Sequence, residues 1–107
     1  MSVTDVDALK GAIESRANTP AGHALPLDTE AVVFALLDAL ERNHVRAAER
    51  DPDGRWHAVP WVKRGILLGF RFGRVIDMSP APPSPFRFFD KHTFPTQSLA
   101  AGHGVRI

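Results

Sequence analysis

The chain has 107 residues, of which 44% are apolar and 23% are charged, which is the composition of one ordinary globular domain. A formal net charge of +1 excludes a global field able to hold a polyanion or an anionic membrane surface. Because the sequence contains no cysteine, disulfides, thiolate catalysis and Cys-based zinc sites are excluded, and we expect a cytoplasmic protein. No apolar stretch approaches the ~18 residues of a membrane helix, and the first residues lack the pattern of a signal peptide.

A helix is predicted near the start of the chain. Thr4 and Asp7 have the spacing of a helix-opening capping box, and apolar residues then recur at helical intervals. This pattern predicts a helix from about Asp5 to Arg16. Residues 17–27 contain two prolines and a glycine, which favour irregular backbone and predict a loop.

A second helix and a β-hairpin are predicted next. Asp28 or Thr29 can cap the helix, which should end near Asn43 after presenting one apolar face. Residues 45–49 and 56–59 flank a run in which every residue is a turn former, and this pattern predicts a hairpin. The turn run is Asp51-Pro52-Asp53-Gly54.

The third predicted helix begins at Pro60, where the missing N–H of proline is harmless. Its apolar residues lie nearly all round the helix, which predicts that it forms the buried centre of the domain. Gly65 and Gly69 weaken a helix by ~1 kcal/mol each, so we expect them to permit close packing of another backbone. Three cations interrupt the helix and must reach solvent, a partner or an anion: Lys63, Arg64 and Arg71.

The last third of the chain loses helical periodicity. Val75 and Ile76 can form a short strand, whereas the proline-rich residues 79–85 predict an extended connector. Asp90 and Lys91 are expected to form a structural salt bridge. The aromatic surface around them is too large to leave in water and should cover something: Phe86, Phe88, Phe89 and Phe94.

Several segments resemble one enzyme family. Residues 45–49 and 54–71 read VRAAE and GRWHAVPWVKRGILLGFR here. They are similar to "RVAE…GxWxxxxWLKKAVLLSFR" of tetrahydrodipicolinate N-succinyltransferases. Residues 36–46 resemble the family's second helix, and residues 89–91 its aromatic-Asp-Lys segment. Residues 104–107 resemble the family's "GFRVVP" turn. The resemblance therefore covers nearly the whole chain in the correct order.

The resemblance implies an α+β fold, with a hairpin between helices 2 and 3, that precedes a left-handed parallel β-helix absent from this chain. Residues 1–107 would be the N-terminal domain, with residues 79–107 as its connector, and the homotrimer would form through the β-helix. It also implies that the full enzyme transfers succinyl from succinyl-CoA to tetrahydrodipicolinate in lysine and diaminopimelate biosynthesis. The arginine that binds the dicarboxylate falls on Arg106, whose guanidinium fork suits a carboxylate. No catalytic residue and no cofactor of this domain are implied, and succinyl-CoA is a co-substrate of the full enzyme.

Alternative functions are also compatible with the sequence. The same fold could be a catalytically inactive, free-standing interaction module that binds a partner through the aromatic residues 86–94. Nucleic-acid binding through the cations of the third helix is less well supported, because helical spacing turns the aromatic residues toward the core and the cations outward. The histidines lack the spacing of metal ligands, so we expect no metal site, and we expect His57 and His92 to be structural.

Overall fold

The structure is a computed structural model that describes residues 1–82 and 84–106. Within these residues, the elements in chain order are helices α1 (Val3–Ala17) and α2 (Thr29–Glu41), strands β1 (Ala48–Arg50) and β2 (Trp56–Ala58), helix α3 (Pro60–Phe72), strands β3 (Val75–Asp77) and β4 (Phe89–Lys91), and a 3-10 turn (Ala101–His103). The predicted α+β class, with a hairpin between α2 and α3, is confirmed. The predictions that concern Pro83 in the connector and Ile107 in the final turn lie outside the described residues.

Helix α1 begins two residues earlier than predicted. The N-cap is Ser2, whose Oγ accepts a hydrogen bond from the Asp5 backbone N–H (3.1 Å) while the Asp5 carboxylate accepts one from the Ser2 N–H (3.1 Å). The predicted capping box of Thr4 and Asp7 is therefore wrong. The same spacing occurs at Ser2 and Asp5, and the earlier start adds the backbone bond from Val6 N–H to the Ser2 carbonyl oxygen (3.1 Å).

Helix α2 ends at Glu41 rather than near Asn43, because Asn43 adopts a left-handed conformation with φ 60°. Asp28 is its N-cap residue, but the side chain makes no capping hydrogen bond. The Asp28 carboxylate instead accepts two hydrogen bonds from the Arg16 guanidinium (2.6 and 3.2 Å). These bonds lower the pKa of Asp28 below its ordinary value and join the end of α1 to the start of α2.

Helix α3 begins at Pro60 as predicted, but only one side of the helix is buried. One face is buried, whereas Leu67 and Phe70 on the opposite side are about half exposed, at 52% and 45%. The prediction that α3 forms the buried centre of the domain holds for the face that packs against α1, α2 and Phe94, and the opposite side reaches solvent. The buried face consists of Trp61, Val62, Gly65, Leu68 and Gly69.

The two glycines of α3 allow the close helix packing that the sequence predicts. A Cβ on Gly65 would clash with Leu36 Cδ2 of α2 and would lie 3.2 Å from two carbons of Ile13 on α1. A Cβ on Gly69 would lie 2.8 Å from the ring of Phe94. Residue 65 is thus the point where the three helices meet. The core around it consists of Leu9, Ile13, Val33, Leu36, Ala39, Val45, Trp61, Val62 and Leu68.

The hairpin between α2 and α3 pairs Ala48 with Ala58 and Arg50 with Trp56. Its strands are shorter than predicted, because the chain from Val45 still packs into the core before pairing begins. Asp51 Oδ1 closes the turn by accepting hydrogen bonds from the backbone N–H groups of residues 53 and 55 (3.1 and 3.0 Å).

A second antiparallel hairpin follows α3. The predicted short strand at Val75 and Ile76 is confirmed as part of β3, and it pairs with β4 so that Val75 faces Lys91 and Asp77 faces Phe89. The partner strand was not predicted. In residues 1–82 and 84–106, no helix combines the length and the apolar character needed to cross a bilayer.

Candidate functional site

Arg106, the predicted substrate-binding residue, lies on an exposed turn at the carboxyl end. The 3-10 turn before it is closed by a hydrogen bond from the Ala100 N–H to His103 Nδ1 (2.8 Å), and Gly104 then reverses the chain with φ 70°. Arg106 is exposed, and across residues 1–82 and 84–106 its side chain has no hydrogen-bond or salt-bridge partner. Its carboxylate-binding role therefore stays a prediction.

The aromatic residues of the second hairpin do not share one environment. Phe94 is half-buried and packs on Phe70 of α3, with ring centroids 4.6 Å apart. Phe86, Phe88 and Phe89 are 64%, 53% and 61% exposed. Among the described residues, the expectation that these rings cover other apolar groups is thus met by Phe94, which covers Phe70. The other three rings are exposed, and those of Phe86 and Phe88 stack on each other.

His92 attaches the second hairpin to the helices. The Arg74 backbone N–H donates to His92 Nδ1 (2.9 Å), so the proton of the neutral ring lies on Nε2, which donates to Glu30 Oε2 in the first turn of α2 (3.1 Å). The side chain of His92 is largely buried. The predicted structural role of His92 is confirmed, whereas His57 lies exposed with Nε2 4.0 Å from Glu49.

Thr93 and Lys91, the neighbours of His92 in the sequence, also bind the helices. Thr93 is fully buried, and its hydroxyl donates to the Gly69 carbonyl oxygen (2.7 Å), which also accepts the Gly73 N–H (2.9 Å). Lys91 Nζ donates to the Gly73 carbonyl oxygen (3.2 Å), so the predicted salt bridge between Asp90 and Lys91 is wrong. Gly73 follows the last residue of α3, where a backbone carbonyl has no partner within the helix. The Lys91 ammonium binds this carbonyl oxygen instead of the Asp90 carboxylate. We call the bonds made by His92, Thr93 and Lys91 the polar attachment.

The cations of α3 serve mainly to hold the loop between α1 and α2. The Arg71 guanidinium donates to the carbonyl oxygens of Thr19 (2.7 Å), Pro20 (2.8 Å) and His23 (3.3 Å). Arg64 donates to the side-chain oxygen of Asn18. A small cavity of about 180 Å³ lies beside these two arginines, lined also by Ala17, Leu67 and Leu68. Because the arginines are committed to the loop, their arrangement supports a structural role over a stacking and phosphate-binding one.

A larger groove of about 500 Å³ runs between α2 and the chain that follows the polar attachment. Its apolar lining comes from four partly buried side chains, and its charged lining from the carboxylates of Asp38 and Glu41. Asp38 pairs with Arg42 (3.0 Å), and Glu41 accepts a hydrogen bond from Gln97 (3.3 Å). We call this the acidic groove. The four partly buried side chains are Phe34, Leu37, Leu40 and Phe94, and the exposed Pro95 also lines the groove.

The far end of the second hairpin is stabilised by Asp77. Its carboxylate accepts hydrogen bonds from the Ser79 N–H (2.9 Å) and from Arg87 Nη2 (2.7 Å). The bonds from Ser79, and then the charge of Arg87, lower the pKa of Asp77 below its ordinary value. Within residues 1–82 and 84–106, no group of three or more metal-ligating side chains comes together.

These features are those of a small α+β domain that lacks an assembled catalytic site in residues 1–82 and 84–106. The described residues form a small α+β domain whose polar side chains mostly fix loops and helix ends, and they do not assemble a nucleophile, an acid–base pair and an anion site in one cavity. The acidic groove and the polar attachment were missed by sequence reasoning. They depend on pairs such as Glu30 and His92, or Glu41 and Gln97, that lie more than fifty residues apart in the sequence.

Comparisons with known proteins place the domain in a family. Residues 7–72, more than half of the chain, match the family described as tetrahydrodipicolinate N-succinyltransferase N-terminal. Curated proteins named 2,3,4,5-tetrahydropyridine-2,6-dicarboxylate N-succinyltransferase match the whole chain at 35% identity in Polynucleobacter asymbioticus and in Nitrobacter hamburgensis. The protein of that name from Mesorhizobium japonicum is 48% identical over 44 residues, which are 41% of this chain and 16% of that protein.

The chain therefore belongs to the tetrahydrodipicolinate N-succinyltransferase family and corresponds to its N-terminal domain. It spans only 39% and 41% of the length of the two relatives that it matches from end to end.

Proposed function

We propose that this chain is the N-terminal domain of a cytoplasmic acyltransferase that transfers succinyl from succinyl-CoA to tetrahydrodipicolinate in lysine and diaminopimelate biosynthesis. The observation that carries the proposal is the family match over residues 7–72, supported by relatives that align with the entire chain. The names of these relatives state the acyl group and the acceptor. The chain alone would be inactive, with the catalytic groups, the CoA site and the homotrimer contacts in the other three fifths of such a protein.

Arg106 is the residue that we propose for substrate binding. The acceptor is a dicarboxylate, and a guanidinium can donate two parallel hydrogen bonds to one carboxylate group. The exposed position of Arg106 after the Gly104 turn leaves its donors available to a ligand held mainly by other groups. This chain would then supply one electrostatic contact to a site completed elsewhere.

The first experiment measures the mass of the protein in extracts of its source, by immunoblot with an antibody against this domain. A band much larger than 11.7 kDa, together with release of free CoA when succinyl-CoA and tetrahydrodipicolinate are added to the purified protein, supports the proposal. A purified protein of larger mass that releases no CoA under these conditions overturns the acyltransferase assignment.

Arg106→Ala in that protein should lower kcat/KM for tetrahydrodipicolinate about 10-fold, the scale of one lost charge-assisted contact. Arg106→Lys should recover only part of the loss, because lysine cannot reproduce the bidentate geometry. Arg55→Ala, at another exposed arginine in the turn of the first hairpin, is the matched control and should leave the kinetics unchanged. Equal kinetics for the wild type and Arg106→Ala would remove Arg106 from the site.

A second candidate function is a catalytically inactive interaction module with the same fold. The observation that favours it is the exposed aromatic surface of Phe86, Phe88 and Phe89. A band at the chain's own mass, with no CoA release, would support this candidate and reject the enzyme.

A further inference from the structure

The chain exposes two surfaces of complementary chemistry. One is the concave acidic groove, and the other is the far end of the second hairpin. The second surface, which we call the hairpin tip, consists of Phe86, Arg87 and Phe88. We propose that the hairpin tip of one copy of this chain binds in the acidic groove of a second copy.

The groove is suited to an apolar group that carries a positive charge. It is an open channel of about 500 Å³, large enough for one or two aromatic side chains. Its floor is aliphatic and aromatic, and the charged side chains that line it are the two carboxylates of Asp38 and Glu41. Both carboxylates are exposed, so a cation can approach them without displacing a buried partner.

The hairpin tip has the complementary chemistry. Phe86 and Phe88 stack with their ring centroids 6.4 Å apart and at an angle of 16°, and both rings are more than half exposed. Arg87 lies between them in the sequence, and its guanidinium is exposed while paired with Asp77. The backbone of the tip is held in place, because the Ser79 hydroxyl accepts a hydrogen bond from the Phe88 N–H (2.8 Å). The rings are therefore presented on a fixed turn, which lowers the entropy cost of docking them.

Charge complementarity argues for a second copy as the occupant. The tip offers one cation and the groove offers two carboxylates, so their contact pairs opposite charges around an apolar centre. The existing pairs of Arg87 with Asp77 and of Asp38 with Arg42 are solvent-exposed, and such pairs are weak enough to rearrange. The contact is heterologous, because it joins two different surfaces, and it leads to a ring or to an open chain of copies.

The first test is the oligomeric state of the chain by sedimentation equilibrium up to about 1 mM, a concentration at which even weak contacts are populated. The weight-average mass of the wild type should rise above 11.7 kDa with concentration. The tip variant Phe86→Ser/Phe88→Ser and the groove variant Asp38→Lys/Glu41→Lys should each stay at the mass of one chain. Leu67→Ser, at an exposed apolar residue outside both surfaces, should associate like the wild type.

Mixing the two variants gives the sharper test. The groove variant retains an intact tip, and the tip variant retains an intact groove, so an equimolar mixture should form a dimer of one copy of each and grow no further. All the substituted positions are exposed, and lysines near the C-terminal end of α2 favour the helix dipole, so both variants should fold. Circular dichroism matching the wild type verifies this.

A wild type that stays at the mass of one chain throughout the range overturns the proposal. Association that persists in either variant, or a mixture that stays monomeric, overturns the assignment of these two surfaces. The test concerns the isolated domain and does not depend on the acyltransferase activity.

Discussion

The helices and the C-terminal arm of this domain are held together by different forces. Helices α1, α2 and α3 meet around fully buried aliphatic side chains, with Gly65 at the point of closest approach. The arm, which comprises residues 74–82 and 84–106, has strands whose residues are almost all exposed. It is joined to the helices by the polar attachment and by the packing of Phe94 on Phe70.

This difference predicts which part of the domain is more stable against local unfolding. Burial of one whole aliphatic side chain is worth ~1.5–3 kcal/mol, whereas a hydrogen bond contributes only ~1 kcal/mol net. The helices should therefore unfold as one cooperative unit, and the arm should open locally at lower cost. The exposed side chains of Phe86, Phe88 and Phe89 belong to the arm, the region that should open first.

The largest effect should come from removing bulk at the centre of the helices. Leu36 is fully buried and contacts Gly65, so Leu36→Ala leaves a cavity and should lower the free energy of unfolding by ~3 kcal/mol. Leu67→Ala is the matched control, since Leu67 is half exposed, and it should change stability by less than ~0.5 kcal/mol. Urea denaturation measures both. Similar losses for the two variants would mean that the helices lack a distinct core.

An intermediate effect is expected at the polar attachment. Thr93→Val keeps the shape of the side chain but removes the hydrogen bond to the Gly69 carbonyl oxygen, which the Gly73 N–H still satisfies. The free energy of unfolding should fall by ~1 kcal/mol. Amide hydrogen exchange should accelerate in β3 and β4 more than in α3.

Thr96→Val is the control for that experiment, because Thr96 is exposed and lies three residues beyond the attachment. Its exchange rates should match those of the wild type. Uniform acceleration across α3 and both strands of the second hairpin in Thr93→Val would show that arm and helices open together, which would contradict the comparison.

The smallest effect should come from the ion pair between Asp28 and Arg16. Because the hydrogen bonds from Arg16 lower the folded-state pKa of Asp28 below 3.8, the pair stabilises the fold above that pH and loses its effect as pH falls through the lowered value. Asp28→Asn should be slightly less stable than the wild type at neutral pH, and the difference should shrink as pH falls below 3.8 and vanish once the carboxyl of the folded state is protonated.

Asp53→Asn, at an exposed aspartate of the first hairpin turn, is the control and should change stability little at either pH. Thermal unfolding followed at several pH values measures the set. A stability difference for Asp28→Asn that stays constant from neutral to acidic pH would contradict the assigned role of the carboxylate charge.

Local chemistry made much of the fold predictable. Pro60 marks the start of α3, and the turn at residues 51–54 defines the first hairpin, because both signals act within a few residues. The start of α1 was misplaced because two capping-box spacings occur within six residues. The exposure of Phe70 could not be read from the sequence, since hydrophobicity alone does not reveal how many elements cover a helix.

The site was less predictable than the fold. Strand β4 has a charged centre and no alternating pattern, so only its pairing with β3 identifies it. The bond between His92 and Glu30 joins residues 62 positions apart and leaves no local signal. Arg106 was identified by resemblance to the family and not by any physical pattern around it, and for that reason its role depends on experiment.

The polar attachment also decides how the domain would bear a mechanical load. Tension applied at the carboxyl end reaches the contact of Gln97 with Glu41 first, then the packing of Phe94 on Phe70, and then the hydrogen bond of Thr93. Each of these contacts can break without disturbing the aliphatic core around Leu36. Under tension the arm would therefore detach from the helices in short steps while the three helices remain folded.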